Sequence, residues 1–278
     1  MSAPSAKVPG VFGLTVTRMV GGSGAWIWSQ WHELRQAAGM IGMVLAMGVQ
    51  TRRWVRPARR AFVQQVLAIG IEPLWFVGAV AVFVGISVVV QLALWVGEAG
   101  QSQMLGPVLV AVVARELGPV LINLIVIVRS GSAMTAELGI LKINGEISGL
   151  EAQDDKSFSQ IVVPRVLGMV VSTFCLTIVF IFAAFASGYV FAVWLGIGIP
   201  DLFLFMDTVS GAVQAKDVSN IFAKSILPAL FAGASCCAGG LGVCGTFAAI
   251  PAATQRALTR SVAGLFLISA VISLLTYL

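Results

Sequence analysis

Apolar and polar positions alternate along this chain on the scale of a bilayer rather than of a single helix face. Long apolar runs cover Leu74–Val96, Met104–Val128, a stretch that begins after Pro164-Arg165 and reaches about Gly188, then Val218–Cys244 and Ser261–Leu278. Each is close to the ~20 residues that carry a helix across a membrane, so five transmembrane helices are predicted. Ahead of them, tryptophans at 26, 28 and 31 precede a shorter apolar run, Ala37–Val49, and then Arg52, Arg53, Arg56, Arg59 and Arg60. Aromatics at one end and arginines at the other predict a helix lying in the interface; a sixth span is the alternative. The expected fold is an all-α integral membrane protein in one domain, with residues 1–60 as an N-terminal interfacial region and 74–278 as the transmembrane bundle. Residues 189–216, with Gly196, Gly198, Pro200, Asp201 and Asp207, suit an external loop whose ends are partly embedded.

The second and third runs are separated by a polar segment, RSGSAMTAELGILKINGEISGLEAQDDKSFSQIVVPR, from Arg129 to Arg165. Its pattern predicts a helix over Ala133–Gln153 followed by a looser DDKSFSQ. Leu138, Leu141, Ile147 and Leu150 keep a helical period while Glu137, Lys142, Glu146 and Glu151 supply polar faces. Ser130 and Ser132 stand where an N-cap is expected. A short charged helix held at the membrane surface can dock a soluble partner; an ordinary solvated loop helix is the plainer reading.

Composition narrows the class. Hydrophobic residues make up 58% of the chain and charged residues 10%, against ~25% charged in soluble domains. Continuous apolar runs exclude an outer-membrane barrel, whose strands alternate, and 278 residues leave no room for a soluble catalytic domain beside five spans. The net charge of +5 is not gathered into a basic domain, so nucleic acid is not an expected partner. The Lys and Arg residues instead cluster before the first span, within 129–165 and at Arg256 and Arg260. This bias predicts a cytoplasmic N-terminus and a cytoplasmic 129–165 segment. No signal-peptide core and cleavage site stand near residue 20, so insertion is expected to rely on the spans. Cys175, Cys236, Cys237 and Cys244 lack CxxC spacing and a histidine cluster, and they read as buried small hydrophobes rather than metal ligands.

Charges inside the apolar runs are the candidates for chemistry. Arg115 and Glu116 fall roughly midway along the second run, where an ionised group must pair or face water. Neighbours on a helix point about 100° apart, so each is expected to find a partner elsewhere, with Lys224 of the fourth run a candidate. Gly118-Pro119 permits a kink. On the first run, Val88, Leu92, Trp95, Val96 and Ala99 recur at three- and four-residue spacing and share one face. That stripe packs against a helix, faces bulk lipid, or holds acyl chains.

The string RELGPVLINLIVIVRSGSAMTAELGILK, with EISGLEAQDD and VVPRVL after it, resembles the MlaE family of ABC-transporter permeases, the membrane subunits of Mla and Mce lipid-transport systems. The resemblance is specific in order and spacing through Arg115–Arg165 and looser over FVGISVVVQ and Asn220–Lys224. EAQDDKSF lacks the proline that often follows the aspartate in that family, and the fifth run has no acidic residue. The resemblance implies a homodimer or a pair of related permeases in a bacterial inner membrane. It implies a cytoplasmic coupling helix, Glu137, Leu141, Lys142, Glu146, Leu150 and Glu151, seated on a cytosolic ABC ATPase. It also implies an MCE-domain protein as substrate-binding partner, phospholipid against Val88, Leu92, Trp95, Val96 and Ala99 in a dimer-interface cavity, and Arg115, Glu116 and Lys224 as charges near that cavity. No cofactor is expected on this chain, since it lacks GxxxxGK[ST]; ATP and Mg²⁺ belong to the ATPase. An ion-coupled secondary transporter using the same charges is the alternative, disfavoured by the lack of a detectable inverted repeat. An intramembrane enzyme has neither HExxH nor GxSxG to rest on.

Overall fold

The computed structural model describes residues 39–42, 44, 46, 56–98, 108–147, 149, 157–195 and 202–277. Among these residues there is no strand. The elements are α1 (Arg56–Val66), which runs through a π-helical turn Leu67–Ile71 to α2 (Leu74–Glu98); α3 (Val110–Ile143); α4 (Ser157–Trp194); α5 (Leu202–Ala212); α6 (Ala215–Leu241); and α7 (Ile250–Tyr277). Five helices are long and apolar enough to cross a membrane: Ala58–Leu92, Val110–Ile143, Ile161–Trp194, Ala215–Leu241 and Phe247–Thr276. The number agrees with the hydropathy pattern.

Their extents do not. Helix begins at Arg56, well before Leu74, and the Glu72-Pro73 break survives only as a turn within it. α4 starts at Ser157 and carries Pro164 inside rather than ahead of it. α7 starts at Ile250, so Arg256 and Arg260 are on the helix rather than in the loop before it. α6 ends at Leu241 rather than Cys244, and α5 occupies part of the expected external loop. Where a helix runs past its apolar stretch, the reason is the same. Hydropathy marks the part of a helix that lipid touches, whereas backbone hydrogen bonding continues wherever a neighbouring helix satisfies the side chains. The Arg260 guanidinium donates to the Ser235 carbonyl at 3.2 Å, and Thr135 Oγ1 donates to that of Cys236 at 3.1 Å.

Glycines let neighbouring helices approach closely. A Cβ on Gly85 of α2 would overlap the Ala184 carbonyl of α4, and one on Gly188 would overlap Val89. These small residues let α2 and α4 touch backbone to backbone, the usual source of helix affinity where lipid offers no hydrophobic drive. The same holds at the far end of α6, where a Cβ on Gly240 would lie 2.6 Å from the Thr135 carbonyl of α3. Phe180, Leu109, Ile122, Met134, Met169 and Leu176 fill the space between, fully buried.

Candidate functional site

α3 is not uniformly α-helical. Val110–Leu117 and Ile127–Gly131 are π-helical, with α-helix over Gly118–Val126 and Ser132–Ile143. Pro119 opens the first α segment, where its missing N–H costs nothing extra because the π register already shifts the ladder. Arg115 and Glu116 sit at the end of the first π segment, toward the start of α3 rather than midway along it.

Each finds its partner on α6, as adjacency required. Arg115 Nε lies 2.7 Å from Asp217 Oδ1 and Nη2 lies 2.9 Å from Oδ2, a two-pronged pair. Asp217 also accepts the Gln214 backbone N–H at 2.8 Å, in a capping box that starts α6. Lys224 Nζ donates to Glu116 Oε1 at 2.6 Å and to the Arg115 carbonyl at 3.2 Å. Ser273 Oγ of α7 donates to the same Glu116 oxygen at 3.0 Å. Asn123 Nδ2 bridges the Pro119 and Lys224 carbonyls at 2.8 and 3.1 Å. The cluster therefore ties α3 to α6 through two neutral pairs, the condition under which charge is tolerated inside an apolar bundle, and adds α7 through the Ser273 hydroxyl.

Exposure separates the members. The Lys224 side chain is 0% exposed and that of Asp217 1%, whereas Arg115 is 20% and Glu116 49% exposed. Glu116 is thus the carboxylate that an incoming group can reach, backed by an ammonium that cannot leave. Sequence reasoning found Arg115, Glu116 and Lys224 but missed Asp217 and Ser273. Asp217, Asn220 and Lys224 fall at three- and four-residue spacing on one face of α6, a signal that was available. Ser273 carries no charge and nothing in the pattern distinguishes it.

The apolar stripe divides. Val88 and Leu92 are half-buried and pack against the core, while Trp95 is exposed. The Val96 side chain and Ala99 lie outside the described residues. Elsewhere on α2, Trp75, Phe76, Val82 and Phe83 turn outward.

In its described residues the polar segment after Arg129 does not start a separate helix at Ala133, and 148 and 150–153 of the expected Ala133–Gln153 helix lie outside the described residues. The segment continues α3 as far as Ile143, with Met134, Thr135, Leu138 and Gly139 buried. The helix breaks at Asn144 and Gly145, where Gly145 adopts φ +76° and reverses the local direction. Glu137 is exposed and pairs with Arg165 of α4 at 3.4 Å. Leu141 packs against the core and Lys142 sits in the last turn of α3. Glu146 stands exposed beyond the break, while Leu150 and Glu151 lie outside the described residues. Of the cysteines, Cys236 and Cys237 are buried as expected, but Cys175 and Cys244 are exposed. Helical phase turns Cys175 outward on α4, and Cys244 falls past the end of α6.

Residues 62–275 match the family model described as Permease MlaE. The chain belongs to the MlaE permease family. This permease is 27% identical over 193 residues to the intermembrane phospholipid transport system permease protein MlaE of Haemophilus influenzae, covering 69% of this chain and 73% of that one. It is 28% identical over 209 residues to a probable ABC transporter permease protein of Synechocystis, covering 75% and 79%. It is also 24% identical over 196 residues to the chloroplastic protein trigalactosyldiacylglycerol 1 of Arabidopsis thaliana, covering 69% of this chain and 54% of the plant protein. The matched region takes in three of the membrane-length helices whole and nearly all of the first and last, with Arg115, Glu116, Asp217, Lys224 and Ser273 inside it.

Proposed function

We propose that this chain is the membrane subunit of an ATP-driven phospholipid transporter, paired with a second permease copy in a bacterial inner membrane with its N-terminus in the cytoplasm. The observation that carries the reading is the family match across the five-helix bundle, joined to a relative named for intermembrane phospholipid transport. A cytosolic ABC ATPase supplies hydrolysis, since the chain has no phosphate loop of its own. An MCE-domain protein exchanges lipid at the opposite face.

The geometry supports a division of labour. At one end of α3, Glu137, Lys142 and Glu146 present alternating charge, with Leu141 beneath them and Leu150 and Glu151 following in sequence; this is the surface that would meet the ATPase. Toward the other end, half-exposed Glu116 offers a headgroup a polar station whose partners lie on two other helices, α6 and α7. α3 joins the two ends as one helix, so a force on the ATPase side moves Arg115 and Glu116 relative to α6. Lipid tails lie along α2 at exposed Trp95, with half-buried Val88 and Leu92 beside it and Val96 and Ala99 following in sequence.

Co-purification from native membranes tests the proposal. A nucleotide-hydrolysing subunit and phospholipid should accompany the permease, and Glu146→Lys should release the ATPase while the permease stays inserted. Lipid movement that follows an ion gradient and ignores ATP would sink this reading and favour the ion-coupled alternative.

A further inference from the structure

Farther along α3 from the charged cluster, where it meets the start of α2, lies a second arrangement of polar and apolar groups. Arg129 of α3 and Glu72, in the turn before α2, meet at 3.1 Å with exposed side chains, 44% and 64%. Among the described residues Glu72 takes only one of the guanidinium's five N–H donors. A groove of about 650 Å³ opens at this pair and is walled by Phe76, Leu124, Ile125 and Val128. A second groove, about 750 Å³, runs beside it along Leu74, Gly78, Val82 and Phe83. Trp75 borders both and is 88% exposed between them.

Depth in the membrane follows from the tryptophans. Trp75 and Trp95 are both exposed on α2; their separation is about 30 Å at 1.5 Å per residue, the thickness of the hydrocarbon core. Gly188 of α4 sits against Val89 of α2, so Trp194, also exposed, reaches the level of Trp95. Interfacial aromatics mark the two headgroup planes. Glu72 and Arg129 therefore lie at one headgroup plane, and both grooves run from there into the hydrocarbon.

We propose that this cleft is a phospholipid-binding site for an amine-bearing zwitterionic headgroup, separate from the charged cluster on α3 and α6. The lipid phosphate takes the free donors of Arg129, and the ammonium takes the open side of Glu72. The two acyl chains straddle Trp75, one in each groove. The pair of opposite charges selects the occupant. A purely anionic lipid satisfies Arg129 but is repelled by Glu72, and a second copy of the chain would have to bury this exposed pair. The assignment concerns binding alone and stands or falls apart from the transport reading.

Photo-crosslinking of the full chain in nanodiscs of equal phosphatidylethanolamine and phosphatidylglycerol tests it, with no ATPase or nucleotide present. A photoreactive residue at Phe76 or Val128 should capture phosphatidylethanolamine enriched roughly two- to fivefold, the scale of an exposed ion pair. One at Phe266, exposed on α7, should report the bulk mixture. Glu72→Gln should abolish the enrichment yet leave lipid capture intact, a readout that a merely structural ion pair would not move. Gly78→Leu should lower capture from the groove without unfolding, because a Cβ there meets no atom within 4 Å. Bulk composition at Phe76 and Val128, or capture of a second permease chain in place of lipid, overturns the proposal.

Discussion

A lysine with no exposed side-chain surface, held by one carboxylate and one carbonyl, is the most sensitive point in this chain. Glu116→Gln removes the counter-charge and leaves the Lys224 ammonium buried, which costs about 3–5 kcal/mol where a buried pair is broken from one side. Neutralising both, as Glu116→Gln with Lys224→Met, should recover most of that loss. Denaturant unfolding in detergent of the two single variants and the double measures the coupling directly. Additive losses would mean that the two groups do not act as a pair. The restored double variant is also the clean test of the proposed headgroup station, because it is expected to fold without Glu116 and Lys224 and to move no lipid. Asp217→Asn is expected to be milder, since an amide still accepts the Gln214 N–H and only the charge opposite Arg115 is lost.

Among the elements, the contact between α2 and α4 and the break after α3 make opposite demands on glycine. Gly85 and Gly188 are places where a side chain would meet backbone or a branched neighbour. Gly85→Val should therefore separate α2 from α4 and lower the thermal midpoint in detergent, by the ~1–3 kcal/mol typical of overpacking or more. Gly78→Ala, two turns earlier on α2 with open space around it, should be neutral or slightly stabilising through helix propensity. An equal loss in both would point to flexibility rather than close approach as the role of these glycines. At Gly145 the demand is on the backbone, because φ +76° costs an L-residue ~1–2 kcal/mol. Gly145→Ala should redirect the chain beyond α3 and weaken ATPase co-purification as Glu146→Lys does, while the bundle unfolds at the wild-type midpoint.

For the molecule as a whole, the charge bias predicts which end of the bundle faces the cytoplasm, and the exposed cysteines make that measurable. Cys244 is exposed just past α6, whereas Cys236 and Cys237 are buried. With Cys175 replaced by serine, a membrane-impermeant maleimide should label Cys244 in inside-out vesicles and not in intact cells. Cys236 and Cys237 should react only after unfolding. Labelling of Cys244 from the outer face would invert the orientation and move the ATPase surface to the other end of α3.

The sequence by itself determined the class, the number of membrane helices and the charged residues that needed partners, because each follows from transfer energies that depend on composition and length. It also singled out Lys224, since a lysine inside an apolar run must either pair or reach water. Tertiary structure alone decided where the helices end, because Thr135, Arg165 and Arg260 are satisfied by neighbouring helices rather than by water, and hydropathy counts only the residue itself. The same reason hid Ser273, whose role rests on a contact 157 residues away in sequence. It also decided which residues of α2 turn outward. Periodicity placed Val88, Leu92 and Trp95 on one stripe; packing against the core half-buries the first two and leaves Trp75, Phe76 and Phe83 exposed. A helix face is fixed by its own residues; what lies against that face is fixed by the other helices.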